Sequence, residues 1–210
     1  MEARRHGGIG EEILYSIIYF CGMDFTNDVE ECLKVLEKGG LILYPTDTIW
    51  GIGCDATNEK AVSRVFDLKK REESKALVVL LADKRDILKY VANPDPPIFD
   101  FLDSLGKPTT IIYDGALGFA NNLPASDGTI GIRIVKDEFC RHLIKRFRKP
   151  LVSTSANISG QASPQCFQEI SPEILNGVDY IVRHRQEEAD SHSPSSIIKW
   201  NNGKPEFIRS

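Results

Sequence analysis

The segment LVSTSANISG, residues 151–160, begins like a buried strand and then turns polar. Leu151 and Val152 are apolar, whereas hydroxyl side chains fill positions 153–155 and an amide follows at Asn157. Such side chains carry no charge and are poor unaided nucleophiles, but they donate and accept hydrogen bonds. The segment therefore predicts a strand that leaves its sheet with a row of hydrogen-bonding groups, whose ligand has to be inferred from the rest of the chain.

Outward from this segment, strand-like and helix-like patterns alternate. The run ALVVLLA, residues 76–82, is continuously apolar, which is typical of a strand covered on both faces. Further strands are expected at 41–44, 49–53, 109–114 and 129–135, and the last third of the chain is rich in short strands. This order predicts a single α/β domain, in which helices pack on a twisted mixed β-sheet.

Helix signals are equally regular. The first helix is expected after an N-cap at Thr26 or Asn27, and the second after Asn58. Residues 136–147 predict an amphipathic helix and residues 164–175 a single further helix, whereas NPDPP, residues 93–97, predicts only a turn.

Composition narrows the class of protein. The chain has 210 residues, 41% of them hydrophobic and 27% charged, which is typical of one globular domain. The net charge of −4 argues against a general nucleic-acid coat. Five scattered cysteines and four histidines form no ligand pattern, so we expect reduced thiols in a cytoplasmic protein and no metal held by the chain itself.

The amino terminus is expected to be an extension. The apolar run at residues 13–21 is too short to span a membrane, and Glu11 and Glu12 precede it where a secretory signal would carry basic residues. Met23 opens a second plausible start just before the first helix. We therefore divide the chain into an extension, residues 1–22, and a domain, residues 23–210, with no membrane association.

Basic residues crowd the segment LKKREESKA, residues 68–76. Cations in the last turn of a helix favour its dipole, and that explanation alone suffices for many helices. The alternative is an anion clamp, in which Lys69 and Arg71 face one side of an extended backbone and Arg71 supplies a planar fork. Lys75 would add positive potential.

Three other motifs are ambiguous taken singly. GKPTT, residues 106–110, fails as a phosphate loop because Phe101 and Pro108 stand where glycine and serine or threonine are required. PTDT, residues 45–48, is an unremarkable turn sequence. Arg133 interrupts an otherwise apolar strand, and it needs an anion if it faces inward.

Six segments in order nevertheless resemble one family. GGLILYPTDTIWGIGCDA, KKREESKAL, GTIGIRIV, STSANISG, SPSSII and the terminal FIRS are similar to segments of the threonylcarbamoyl-AMP synthase family, the YrdC-like domains. The resemblance runs from about Cys32 to Arg209, and its signatures are K-x-R at Lys69 and Arg71 and S-x-N at Ser155 and Asn157. It implies a twisted mixed sheet with a concave, positively lined cleft.

The resemblance also implies an activity. Members join L-threonine, bicarbonate and ATP into threonylcarbamoyl-adenylate and pyrophosphate, for the threonylcarbamoyladenosine modification of tRNA by a partner transferase machinery. Mg²⁺ would arrive bound to ATP. The residues that match the family fall into two groups, with Lys69 and Arg71 also implied as catalytic. The ATP group is Lys69, Arg71, Thr129, Ser155, Asn157, Ser163 and Arg209; the threonine group is Thr46, Arg133, Ser153 and Ser195.

Departures from the family pattern leave alternatives open. Trp50 stands where a tyrosine is usual, Glu72 replaces the usual proline after K-x-R, and Ser196 replaces a threonine. One alternative is a module that binds RNA or nucleotide without synthase activity, using the basic segment at residues 141–150. Another is a carbamoyl-adenylate enzyme like those of hydrogenase maturation, although the short, single-domain form is expected here.

Overall fold

The computed structural model describes residues 25–72, 77–188, 194–201 and 203–209, and the predicted extension at 1–22 and Lys75 lie outside them. Within these ranges, nine strands form one mixed sheet in the order β7-β1-β2-β6-β3-β5-β4-β8-β9. The strands are β1 (Ile42–Tyr44), β2 (Gly51–Gly53), β3 (Val78–Leu81), β4 (Thr109–Tyr113), β5 (Ile130–Ile134), β6 (Leu151–Ser155), β7 (Tyr180–Ile181), β8 (Ser196–Asn201) and β9 (Lys204–Arg209). Three neighbouring pairs are parallel, β1 with β7, β3 with β5 and β4 with β8, and the other five are antiparallel.

Helices cover both faces of this sheet. They are α1 (Thr26–Glu37), α2 (Glu59–Lys69), α3 (Ile87–Tyr90), α4 (Pro97–Ser104), α5 (Glu138–Phe147) and α6 (Pro172–Gly177), with 3₁₀ turns at Lys84–Asp86 and Phe167–Glu169. One apolar core joins the sheet to α2, α3, α4 and α6, and a second joins it to α1 and α5. The predicted single domain with a mixed sheet is confirmed.

Helix α5 shows how the sequence produces this packing. The Asp137 carboxylate accepts a hydrogen bond from the Cys140 amide at 2.8 Å and so caps the helix. Phe139, Leu143 and Phe147 recur on one face and are buried in the second core. Each such side chain stabilises the fold by about 1.5–3 kcal/mol through the area that it removes from water.

Several details of the predicted helices are confirmed or wrong. Asn58 caps α2 as predicted, since its carboxamide oxygen accepts from two backbone amides. The N-cap of α1 is Phe25, without a side-chain cap, because Thr26 is already helical. The single helix at 164–175 is wrong: the backbone ahead of Pro172 is extended, as a proline favours for the residue that precedes it, and α6 starts anew there. Helix α4 begins at Pro97, where only a turn was predicted.

The pairing of β3 with β5 and β6 determines which face of the sheet the polar side chains of β5 and β6 occupy. Ser153 pairs with Val78, and Arg133 pairs with Leu80, so both polar side chains lie on the face that carries α1 and α5. Next to them is Gly51, whose missing Cβ would lie 3.1 Å from the Ser153 Oγ. A larger residue at position 51 would therefore crowd the Ser153 hydroxyl.

Candidate functional site

A cleft of about 210 Å³ lies beside Gly51, Arg133 and Ser153. Its polar lining comes from three arginines and a set of hydroxyl side chains, and its apolar lining includes the Trp50 indole. The polar residues are Thr48, Arg71, Arg133, Ser153, Thr154, Ser155, Ser163, Ser195 and Arg209. No carboxylate, thiol or imidazole is among the described residues that line it. The cleft therefore suits an anion.

Arg133 is the most buried of the three arginines, with only 5% of its surface exposed. Its Nη1 donates to the Thr48 Oγ1 at 2.9 Å, and its Nη2 lies 3.4 Å from an Asp47 carboxylate oxygen. Within the described part of the chain, the two Asp47 carboxylate oxygens have no hydrogen-bond partner, and the Arg133 Nε has none either. Asp47 thus compensates the buried charge of Arg133 by an ion pair alone.

Thr46, predicted to bind threonine, is not among the described residues that line the cleft. Its hydroxyl donates to the Ile49 carbonyl at 2.8 Å and accepts from the Thr48 amide at 3.0 Å, which closes the PTDT turn. The Thr48 hydroxyl is the one that reaches the cleft, 2.9 Å from the Thr46 hydroxyl. Thr46 therefore supports the site through Thr48.

Ser195 and Arg209 are hydrogen-bonded to each other in the lining of the cleft. The Ser195 hydroxyl is 3.0 Å from the Thr110 hydroxyl on β4. The Arg209 guanidinium donates to the Ser195 carbonyl through Nε at 3.2 Å and Nη2 at 2.7 Å. Both residues line the cleft, and their roles as ligands of threonine and ATP stay predictions.

Lys69 and Arg71 differ in their placement. Lys69 is the last residue of α2, and Lys70 after it adopts a left-handed conformation with φ of 50°. Arg71 lines the cleft. Lys69 is 1% exposed and does not line it; its ammonium donates to the carbonyls of Ser155 at 2.5 Å and Asn157 at 2.6 Å. The extended backbone assumed for this pair is wrong.

Burial changes the acid–base properties of this pair. Desolvation and, as the smaller cause, the nearby positive charge of Arg71 together lower the pKa of Lys69 to about 8. Desolvation also lowers the pKa of Arg71 from its ordinary value. An anion in the cleft would offset part of the cost of holding these two charges together.

Of the other predicted site residues, three line the cleft and two do not. Ser153, Ser155 and Ser163 line the cleft. Asn157 does not; its Nδ2 donates to the Ile158 and Gln161 carbonyls at 3.1 and 2.7 Å. Thr129 also lies outside the lining, and its hydroxyl donates to Asp127 at 2.7 Å.

Thr48 and Asp47 were missed from the sequence. The signal available was the T-x-T spacing within PTDT, since two threonines two apart in a turn can bond to each other and leave one facing a ligand. Asp47 is half-buried with its carboxylate oxygens enclosed near Arg133, and such a counter-charge is not visible in a turn sequence.

The described residues contain no group of three or more acidic, histidine or cysteine side chains arranged to hold a metal. No helix within the described ranges is both long enough and apolar enough to cross a bilayer.

The fold is shared with solved structures. It matches P. abyssi Sua5 complexed with L-threonine with a TM-score of 0.76 at 21% identity, over 86% of this chain and 53% of that chain. It matches E. coli YciO with a TM-score of 0.76 at 21% identity, over 88% of this chain and 89% of that one. This chain therefore has the YciO-like fold and spans about half the length of the Sua5 chain.

A model of the Sua5/YciO/YrdC family, described as "Telomere recombination", matches residues 34–210, and the chain belongs to this family. A protein of Methanocaldococcus jannaschii named putative threonylcarbamoyl-AMP synthase is 38% identical, over 86% of this chain and 87% of its own length. The threonylcarbamoyl-AMP synthase of Pseudoalteromonas translucida is 30% identical, over 87% and 98%. The predicted family and enzyme class are confirmed.

Proposed function

We propose that the chain is an L-threonylcarbamoyladenylate synthase, which converts L-threonine, bicarbonate and ATP into threonylcarbamoyl-AMP and pyrophosphate. The observation that carries the proposal is the lining of the cleft. Three arginines and a row of hydroxyls bind and orient anions, and no side chain of the described lining is a strong nucleophile. A reaction whose nucleophile comes from the substrate needs only such positioning and charge stabilisation.

L-Threonine would bind at the end of the cleft around Arg133. A carboxylate there meets the guanidinium, whose position is fixed by Thr48 and Asp47. Ser153 and Ser195 would bond the remaining polar groups, and the Trp50 indole would contact the methyl group. The Sua5 structure of similar fold, which is titled as complexed with L-threonine, supports this choice of substrate.

ATP would bind at the end around Arg71. Ser155, Ser163 and Arg209 also line the cleft and would bond the phosphates. Mg²⁺ would enter with ATP as part of the substrate and screen the phosphate charge. The chain's own contribution is to hold the α-phosphate in line with its attacking group.

The chemistry then follows in two steps. The threonine amine attacks the carbon of bicarbonate, and loss of water leaves an N-carboxylate, the carbamate. A carbamate oxygen attacks the α-phosphorus, and the bond from that phosphorus to the bridging oxygen breaks, so that pyrophosphate leaves. The positive charges of Arg71 and Arg209 would stabilise the charge that develops on the phosphates.

The product is an activated acyl donor, so a further enzyme has to consume it. We propose that the threonylcarbamoyl group passes through a partner transferase to the adenosine beside the tRNA anticodon. RNA binding by this chain is not needed for that role. The cations of α5, Arg141, Lys145 and Arg146, are exposed, and Arg146 lies 3.9 Å from Glu30, as expected of a solvated helix face.

Pyrophosphate release measured with each substrate omitted in turn tests the proposal. We expect release only when ATP, L-threonine and bicarbonate are all present, with AMP and no ADP in the nucleotide product. Steady ADP formation, or turnover without threonine, would overturn it. Turnover that instead depends on carbamoyl phosphate would indicate a carbamoyl-adenylate enzyme, and tight RNA binding without turnover would indicate a binding module.

A further inference from the structure

Lys69 occupies a position that the ATP-binding assignment does not explain. Its side chain passes beneath the loop that follows β6, and 1% of the residue is exposed. The ammonium donates to two backbone carbonyls, those of Ser155 and Asn157, and lies 3.4 Å from the Asn157 carboxamide oxygen. Its three donors are thus all directed at this loop.

The same loop is bound to Lys69 through the backbone as well. The Ser159 amide donates to the Lys69 carbonyl at 2.8 Å. The Asn157 Nδ2 then joins the start of the loop to its end through the Gln161 carbonyl at 2.7 Å. Lys69 and Asn157 therefore fix the path of residues 155–161 together.

We infer that Lys69 is a positioning residue, whose ammonium clamps loop 155–161 so that the loop presents the Ser155 hydroxyl to the ATP phosphates. The carbonyl oxygens of Ser155 and Asn157 are occupied by hydrogen bonds from a buried ammonium. Released carbonyls could turn into the cleft, where their partial negative charge would repel phosphate oxygens. The K-x-R and S-x-N motifs thus form one unit, in which the lysine orders the loop and Arg71 lines the cleft.

The inference rests on the proposed function only for its activity readout. Lys69→Met removes the ammonium and keeps a long apolar stem, and Lys70→Met is the matched control, because the Lys70 side chain is 65% exposed and pairs with Glu173 at 2.8 Å. We expect Lys69→Met to speed amide hydrogen exchange in residues 155–161 at least about tenfold and to weaken ATP binding by about tenfold, the value of one charge-assisted hydrogen bond. Lys70→Met should change neither.

The two measurements separate a clamp from a ligand. ATP binding that weakens in Lys69→Met while loop exchange stays at the wild-type rate would show that Lys69 contacts ATP directly and would overturn the inference. Unchanged ATP binding would overturn it as well. Hydrogen exchange needs no turnover, so it tests the clamp even if the chain fails to release pyrophosphate and the proposed reaction falls.

A measurement on the wild-type chain keeps the test decisive if Lys69→Met does not fold. Brief treatment with acetic anhydride should acetylate Lys70 and spare Lys69, with ATP and without it. A lysine that binds ATP has to be open to the cleft before ATP arrives. Acetylation of Lys69 in the absence of ATP, and its protection by ATP, would therefore contradict the clamp.

Discussion

The end of the cleft around Arg133 is held by the sheet, whereas the end around Arg71 is held by a loop. Arg133 lies within β5, and its guanidinium is fixed by the buried Thr48 and by the enclosed carboxylate of Asp47. Arg71 follows a helix end, and the polar groups across from it depend on the ammonium of Lys69. Under the proposed function, the first end would hold the threonine carboxylate through residues of the sheet, and the second would hold the phosphates through a loop that Lys69 clamps. Substitutions at the two ends should therefore fail differently.

The largest effect is expected at the sheet end. Arg133→Met leaves the Asp47 carboxylate buried without its counter-charge, which should cost about 3–5 kcal/mol in the free energy of unfolding. It should also raise the KM for threonine strongly. Denaturant unfolding and initial rates measure the two effects.

The double variant Asp47→Asn with Arg133→Met separates them. Neutralising Asp47 should restore much of the stability, because no uncompensated charge remains, while threonine use stays lost. Recovery of threonine use in the double variant would show that Arg133 does not bind the substrate carboxylate.

The loop end should lose activity without losing stability. Arg71→Ala removes a charge-assisted hydrogen-bond donor worth about 1.5–3 kcal/mol, or about 10- to 150-fold in kcat/KM for ATP. Arg71→Lys should remain defective, because lysine lacks the planar fork. Melting temperature and ATP kinetics measure both variants, and Lys70→Ala serves as the control. A fully active Arg71→Ala chain would remove Arg71 from the ATP site.

The sheet end was partly predictable, because the strands that carry Ser153 and Arg133 are visible in the sequence, but the register of the strands is what puts both side chains on one face. The positions of most strands and helices along the chain follow from apolar patterns. The loop end was less predictable. Whether Lys69 and Arg71 share a side depends on the left-handed Lys70, and nothing in the letters K-K-R specifies that conformation.

Supporting residues were the hardest to place. Thr46, Asn157 and Lys69 were assigned to substrates through the resemblance, but their polar groups bond to the backbone and to neighbouring side chains. A motif records which residues a site needs. It does not distinguish a side chain that touches the ligand from one that holds such a side chain in place.

The loop end should also respond to alkaline pH. The pKa of Lys69 is lowered from 10.5, the ordinary value of a lysine side chain in the unfolded chain, to about 8 in the folded chain. Burial of the charged form therefore costs stability below pH 8, and the cost is relieved as pH rises toward 10.5, because the unfolded chain keeps the proton longer. Between pH 7 and 9.5, the wild type should gain about 2 kcal/mol of unfolding free energy relative to Lys69→Met.

Activity should change in the opposite direction. A neutral Lys69 has fewer and weaker donors for the loop carbonyls, so kcat/KM for ATP should fall above pH 8 in the wild type. Arg71, the charged neighbour of Lys69, stays protonated over this range. A stability difference that is flat with pH, or one that falls, would show that the Lys69 ammonium is not buried as described.

The smallest effect is expected where the cleft meets the first apolar core. The Trp50 indole is buried against the Phe167 ring, with 5.0 Å between the ring centroids, and it lines the cleft near Ser153. Serine lacks the methyl group of threonine, so the wild type should use serine with a kcat/KM lower by about 1–3 kcal/mol, or about 5- to 150-fold. Trp50→Tyr leaves a smaller ring and a looser fit around that methyl group, which should reduce the preference for threonine by about 1 kcal/mol, or about fivefold.

Pyrophosphate release with threonine and with serine, measured on the wild type and on Trp50→Tyr, gives the ratio directly. Phe167→Leu provides a control in which the indole loses its ring neighbour but keeps its size. An unchanged ratio in Trp50→Tyr would mean that the sheet around Ser153 and Arg133 sets the preference for threonine without the indole.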